Sequence, residues 1–283
     1  MRKRITATIV TIGDELLIGQ VIDTNSAYIA REMNAAGILI ERRIAIADKG
    51  TEINHVLDNE INEVDIIIIT GGLGATSDDI TKQSLAKYFK SRFVTNKPAL
   101  QNIYHLFHDV FHKEPSQKIL ETARVPESCE VVINKRGLAP GMIFEKGRTY
   151  IVSIPGVPYE MEGLIKDIVP LLKSHFQLPK IIHQTLITNG ISESELSKTL
   201  TLFEKNLPKD TKLAYLPGPA GLRLRLSTVA YNKDEEAAAH KQFISLKKLS
   251  GNFVTQTDDI PPEVVIGKIL RRKNKTIATA ESC

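Results

Sequence analysis

The chain has 283 residues, enough for about two domains, and is 42% hydrophobic, 25% charged and 6% aromatic with no Trp, the composition of a soluble globular protein. Its net charge of +4 is mild and argues against nucleic acid as a partner, which calls for a dense basic stripe. No apolar run approaches the ~18 residues of a membrane span, and the two cysteines, Cys129 and Cys283, match no metal spacing and read as reduced thiols in a cytoplasm.

Residues 5–12, rich in Ile, Val and Thr, read as a first strand broken by Gly13-Asp14-Glu15. The basic lead Met1-Arg2-Lys3-Arg4 could open a signal peptide, yet the apolar run is short and no small-residue cleavage site follows. Asp23-Thr24-Asn25 offers capping side chains for a helix from Ser26 to Ala36, closed by Gly37. A strand over 38–46, a helix near 51–62 and a strand over 64–69 follow. That last strand, Val64-Asp65-Ile66-Ile67-Ile68-Ile69, shows no polar/apolar alternation, as expected of a strand buried on both faces of a parallel sheet. Strands alternating with helices predict βαβ units.

From Asp78 a helix is predicted to run to Phe89. Pro98 opens another, with Leu100, Ile103, Phe107, Val110 and Phe111 along one side. Residues 131–154 form two or three predicted strands, with turns at Gly137, Pro140-Gly141 and Lys146-Gly147. Ile151-Val152-Ser153-Ile154 then meets Pro155-Gly156-Val157-Pro158, and a helix starts near Tyr159.

Pro170 and Gln177-Leu178-Pro179-Lys180 mark a boundary. Beyond it lie a strand over 181–188, a capping box of Ser192 and Glu195 ahead of a helix, and a hairpin turning at Pro217-Gly218-Pro219-Ala220-Gly221. Its arm Leu222-Arg223-Leu224-Arg225-Leu226 alternates strictly, with one face buried and the other basic. An Ala-rich helix covers about 234–249. After Pro261-Pro262 come a helix over 263–272 and a strand-like segment over 276–283, which is expected to be the start of a third domain.

The stretch TGGLGATSDD, residues 70–79, follows the buried strand. Glycines there let the backbone bend and approach a ligand, and a helix start favours an anion. Ligands gather at this edge of doubly wound sheets. It is neither a dinucleotide-binding fingerprint nor a Walker loop, and a plain turn with Asp78 as helix cap is the bland alternative. Asp79 is a second acid beside a phosphate loop, and such an acid calls for a cation between the two. Asp48 would reach the same edge, so Asp48 and Asp79 are candidates to share Mg²⁺ or a similar ion, against the plainer reading of two solvated loop acids. His105, His108 and His112 share a helix face read as solvated rather than metal-binding.

Several stretches together resemble the CinA (competence/damage-inducible) family. They are Thr11-Ile12-Gly13-Asp14-Glu15-Leu16-Leu17-Ile18-Gly19-Gln20, Asp23-Thr24-Asn25-Ser26, TGGLGATSDD with Ile80-Thr81, and Pro155-Gly156-Val157-Pro158-Tyr159-Glu160-Met161. Gly190-Ile191-Ser192-Glu193-Ser194 and the Leu216–Arg225 hairpin resemble the family's KH-like middle domain. Thr279-Ala280-Glu281-Ser282-Cys283 resembles the opening of its nicotinamide mononucleotide deamidase domain.

The resemblance implies a three-layer α/β/α molybdopterin-binding-like domain with a mostly parallel sheet over 1–175. It further implies an α+β KH-like domain over 178–256, and a linker with the truncated first strand of a deamidase domain over 257–283. It implies ADP-ribose pyrophosphatase activity dependent on a divalent metal (Mg or Co) and potassium, in a cytoplasmic homodimer linked to pyridine-nucleotide recycling. Asp48 and Asp79 would serve catalysis and metal binding. Substrate would lie against Gly13, Asp14, Glu15, Asn25, Gly71, Gly72, Leu73, Gly74, Thr76, Pro155, Gly156 and Pro158. Ser282 matches the deamidase nucleophile, but without a following base or oxyanion hole no deamidase activity is expected of this chain. The sequence departs from the family pattern at Ala75 (commonly Pro), Lys49 (commonly Asp) and Leu138 (commonly Thr). Two other functions compete: transfer of AMP to molybdopterin, and non-catalytic nucleotide binding that regulates a deamidase domain.

Overall fold

A computed structural model describes residues 4–280 apart from Ala75, Ser77, Asp78, Pro219, Ala220, Asp258, Asp259 and the side chain of Pro262. The chain divides into two compact units, Met1–Leu178 and Pro179–Cys283.

The first unit runs β1 (Thr6–Ile12), α1 (Asp14–Leu17), α2 (Thr24–Ala35), β2 (Leu39–Ile46), α3 (Gly50–Glu60), β3 (Ile66–Thr70) and α4 (Thr81–Tyr88). It continues through β4 (Phe93–Thr95), α5 (Lys97–His105), α6 (Gln117–Leu120), β5 (Arg124–Pro126), β6 (Glu130–Val132), β7 (Gly141–Lys146), β8 (Thr149–Ile154) and α7 (Pro158–His175). The main sheet has the order β2-β1-β3-β8-β7-β6. Its first four strands are parallel, and β7 and β6 are added antiparallel.

The isoleucine run of β3 is buried on both faces, as the absence of alternation predicts. Ile66 and Ile68 pack with Ile29, Met33, Leu164 and Ile165 of α2 and α7. Ile67 and Ile69 pack with Ile53, Leu57 and Leu85 of α3 and α4. Successive strand side chains alternate between faces, so one short run supplies both halves of the core and makes the unit a three-layer α/β/α sandwich. β1 lies between β2 and β3, and β1 to β3 is the point where the strand order reverses. In such sheets the crevice outside the strand C-termini is the place for ligands.

Three local expectations change. α4 begins at Thr81 rather than at Asp78, and its N-cap, Ile80, makes no side-chain capping bond; Asp78 itself lies outside the described residues. Pro170 marks no boundary. α7 runs through it, held by Ile165, Ile168 and Leu172 against the sheet, despite the missing N–H. Val110 and Phe111 are 56% and 51% exposed instead of continuing the stripe of Ile103 and Phe107. A π turn over Leu106–Val110 carries extra residue per turn and rotates them away from the core. His105 at the end of α5, His108 in the π turn and His112 beyond it are all exposed.

The second unit contains β9 (Lys180–Thr188), α8 (Glu193–Lys205), β10 (Thr211–Gly218), β11 (Gly221–Ala230), α9 (Lys233–Ser250), β12 (Val254–Gln256) and α10 (Pro262–Arg272). Its antiparallel sheet has the order β10-β11-β9-β12. Leu222, Leu224 and Leu226 of β11 are buried with Leu196, Leu200 and Leu246 of α8 and α9, while Arg225 is exposed, as the alternation predicts. The Ser192–Glu195 capping box is formed. Residues 275–280 form no strand, contrary to the strand-like pattern there, and Ser282 lies outside the described residues. No helix among the described residues is long and apolar enough to cross a membrane.

Candidate functional site

The C-terminal ends of β1, β3 and β8 are in register, with Thr11 opposite Thr70 and Thr70 opposite Ile154. The loops leaving them therefore emerge side by side, and they are knitted together at one point. The Gly71 N–H donates to the Ile154 carbonyl at 3.1 Å. The Thr70 hydroxyl donates to the Pro155 carbonyl at 2.9 Å, and Asn25 Nδ2 donates to the Gly156 carbonyl at 2.7 Å. Gly71 has φ of 113°, and a Cβ there would fall 2.4 Å from the Ile12 carbonyl oxygen. Only glycine lets the β3 loop pass this close to the end of β1.

These loops surround a cleft of about 500 Å³. Of the residues expected from sequence, Gly13, Glu15, Asp48, Gly71, Gly72 and Leu73 line it. Gly74, Asp79, Pro155 and Gly156 do as well. Asn25 and Pro158 line a smaller cavity that shares Ile12, Glu15 and Gly156 with the cleft. Thr76 lines a separate pocket beyond Gly74. Asp14 contributes its backbone: its N–H donates to Asp48 Oδ2 at 3.2 Å, tying the loop after β1 to the loop after β2.

Asp79 closes the glycine loop upon itself. Its Oδ1 accepts the Gly74 N–H at 2.7 Å, and its Oδ2 accepts the Thr76 N–H at 2.9 Å together with the Thr76 hydroxyl. A Cβ on Gly74 would fall 2.5 Å from Asp79 Oδ2, so glycine is needed for the carboxylate to lie there.

Sequence reasoning overlooked Glu160 and Asn134. Glu160 lines the cleft from the first turn of α7, and Asn134 Nδ2 donates to its Oε2 at 2.6 Å. Burial pushes the Glu160 carboxyl above the usual carboxylate range, and the Asn134 hydrogen bond only partly offsets this. Asn134 is buried, and it also donates to the Ala139 carbonyl at 3.0 Å and accepts the Arg136 N–H at 3.0 Å. It thereby fixes the 134–139 turn that brings Leu138 and Ala139 to the cleft wall. The available signal was position. Glu160 stands four residues beyond Gly156, on the first turn of the helix that leaves a strand-end loop.

Among the described residues, Glu15, Asp48, Asp79 and Glu160 give the cleft four carboxylates, and no Lys or Arg lines it. Oxygen donors of this kind suit a hard cation such as Mg²⁺, which binds through one or two carboxylates and completes its shell with water and phosphate. Among the described residues no three His, Cys, Asp or Glu converge to hold a metal without such added ligands. The described residues therefore form no closed structural metal site.

Residues 8–174 match the family described as "Probable molybdopterin binding domain". A CinA-like protein of Flavobacterium psychrophilum is 44% identical over 282 residues, covering 98% of this chain and 67% of that protein. One of Cytophaga hutchinsonii is 40% identical over 287 residues, covering 100% of this chain and 68% of its own length. The chain thus spans about two thirds of these relatives. Among solved structures, that of the protein CinA from Thermoplasma acidophilum is similar with a TM-score of 0.53 and 30% identity, covering 59% of this chain and 97% of that one. On the family match over most of the first unit and these near-full-length relatives, the chain belongs to the CinA-like protein family.

Proposed function

We propose that the chain hydrolyses a nucleotide pyrophosphate, with ADP-ribose giving AMP and ribose 5-phosphate as the leading candidate. The observation that carries this reading is the meeting of a glycine loop and four carboxylates at the switch point of a parallel sheet. The backbone at Gly71, Gly72 and Gly74 carries no side chain and lets a diphosphate approach closely. An anion among Glu15, Asp48, Asp79 and Glu160 needs countercharge, and Asp48 and Asp79 are the residues that would hold a divalent ion supplying it. When bound, such an ion neutralises developing phosphate charge and lowers the pKa of an attacking water.

The remaining roles fall to the chain itself. Asn25, through the Gly156 carbonyl, fixes the loop that walls the cleft beside Gly71. Glu160, held by Asn134, presents a carboxyl suited to giving or taking a proton. The test is AMP formation from ADP-ribose with Mg²⁺ or Co²⁺, with a chelated control and with Asp79→Asn. Metal-dependent AMP release that the substitution abolishes is the expected result. Unchanged rates in Asp79→Asn would remove Asp79 from the reaction, and calorimetric binding without turnover under any metal would leave a nucleotide-binding regulator instead.

A further inference from the structure

Beside the acidic cleft lies a smaller pocket of about 180 Å³, and Gly74 and Thr122 line both cavities. Its charge is the reverse of the cleft's. Lys82 of α4, Lys118 of α6 and Arg124 of β5 line it, with Glu121 as the opposing carboxylate. Three separate elements therefore converge cations on one cavity next to the glycine loop. Lys82 is partly buried and reaches the Thr122 carbonyl at 3.5 Å. Burial and the neighbouring Arg124 push the Lys82 amine below its ordinary range, while Glu121 and Asp79 relieve this only in part. Arg124 also lies 6.0 Å from the centroid of the Phe93 ring, another wall of the pocket.

Cations crowded in this way are stabilised by an anion that reaches them directly, without the bridging ion the carboxylate cleft requires. The cleft falls within the ~300–1,000 Å³ of whole-ligand sites, and the pocket falls below it, so the pocket suits one group of a ligand rather than a ligand. We propose that this pocket binds a phosphomonoester of the substrate whose diphosphate lies in the cleft, so that the chain prefers nucleotide pyrophosphates carrying an additional phosphate. The substrate half of this inference rests on the function proposed above; the anion site does not.

Two measurements keep those halves apart. The first is titration of the whole chain with inorganic phosphate in EDTA, which silences any cation-bridged binding in the cleft. The expected result is saturable binding that weakens roughly tenfold in Lys118→Gln and in Arg124→Gln, both at exposed positions where folding is not at stake. No binding, or binding indifferent to both substitutions, overturns the anion site. The second measurement compares ADP-ribose with ADP-ribose 2′-phosphate under divalent metal. The expected result is roughly tenfold tighter binding of the phosphorylated compound, lost in the Lys118→Gln/Arg124→Gln double variant. Equal affinities in the wild-type chain overturn the substrate preference. If neither compound binds, the proposed function and the preference fall together, while the phosphate titration still decides the pocket.

Discussion

Asp79 accepts the backbone N–H of Gly74 at 2.7 Å and so occupies, with its own carboxylate, a donor that the proposed function would assign to a substrate phosphate. The Thr76 N–H is taken in the same way. On the function proposed above, the loop therefore holds an internal carboxylate where the phosphate would bind, and Asp79 would compete with that phosphate as well as repel it. This yields a prediction of two opposite signs. Asp79→Ala frees both donors and removes a charge, so metal-free affinity for pyrophosphate should rise by roughly tenfold, as expected for hydrogen bonds to a charged group. Hydrolysis under Mg²⁺ should fall in the same variant. Calorimetry in EDTA and an AMP assay read the two effects; affinity and turnover falling together would mean that Asp79 only holds the loop in shape.

Gly74→Ala is expected to mimic that loss from the other side. Its Cβ would sit 2.5 Å from Asp79 Oδ2 and displace the carboxylate. Amide exchange at Thr76 should quicken by about tenfold or more as the Asp79 bond opens, since a protected amide exchanges through such local openings. Protection unchanged from the parent chain would show that the loop absorbs the methyl without releasing Asp79.

Gly71 is a stability position, whatever the cleft binds. Alanine there meets the Ile12 carbonyl oxygen at 2.4 Å from a φ of 113°, and neither backbone can yield without shifting β1 or β3. Gly71→Ala should cost about 2–4 kcal/mol, or roughly 4–16 °C in the first unfolding transition for a unit of this size. A melting curve overlaying that of the parent chain would refute the crowding argument.

These positions also mark the limit of what the sequence discloses. The isoleucines of β3 disclose their two-sided burial because a buried parallel strand is apolar at every residue, and the β11 arm discloses its one-sided burial because leucine and arginine alternate. Gly71 is visible as a glycine in a loop. Its reason, the Ile12 carbonyl 59 residues earlier in the chain, is a tertiary contact with no local signature. Asp79 is visible as a second acid, but its bonds to Gly74 and Thr76 depend on a helix that starts at Thr81 instead of Asp78. Glu160 and the cations Lys82, Lys118 and Arg124 read as ordinary surface charges, because what distinguishes them is the cavity that the fold places beside them.

Cys129 is expected to be inert. Its partial burial pushes the thiol up to about 12, so almost none is thiolate near neutral pH. In a Cys283→Ser background, reaction with a disulfide reagent at about pH 8 should be at least ~100-fold slower than that of a free thiol with a pKa near 8.5. Full speed should return in denaturant. Rapid labelling of the folded chain would contradict the burial.

Glu160 makes a prediction about pH with a definite sign. Burial raises its pKa in the folded chain, so folding disfavours the ionised form. Its contribution to stability is then complete below the unfolded value of about 4.3 and is lost as pH rises through the folded value. Glutamine keeps an oxygen to accept the Asn134 hydrogen bond but never ionises. The melting temperature of Glu160→Gln relative to the parent should therefore be more favourable at about pH 7.5 than at about pH 4. Asn134→Ala should act in the opposite sense, because it removes the donor that partly offsets the burial of the carboxylate, and its deficit should deepen as pH rises. A Glu160→Gln difference that stays flat across this range would show that Glu160 titrates as it does in the unfolded chain, and would withdraw it as the proton carrier of the cleft.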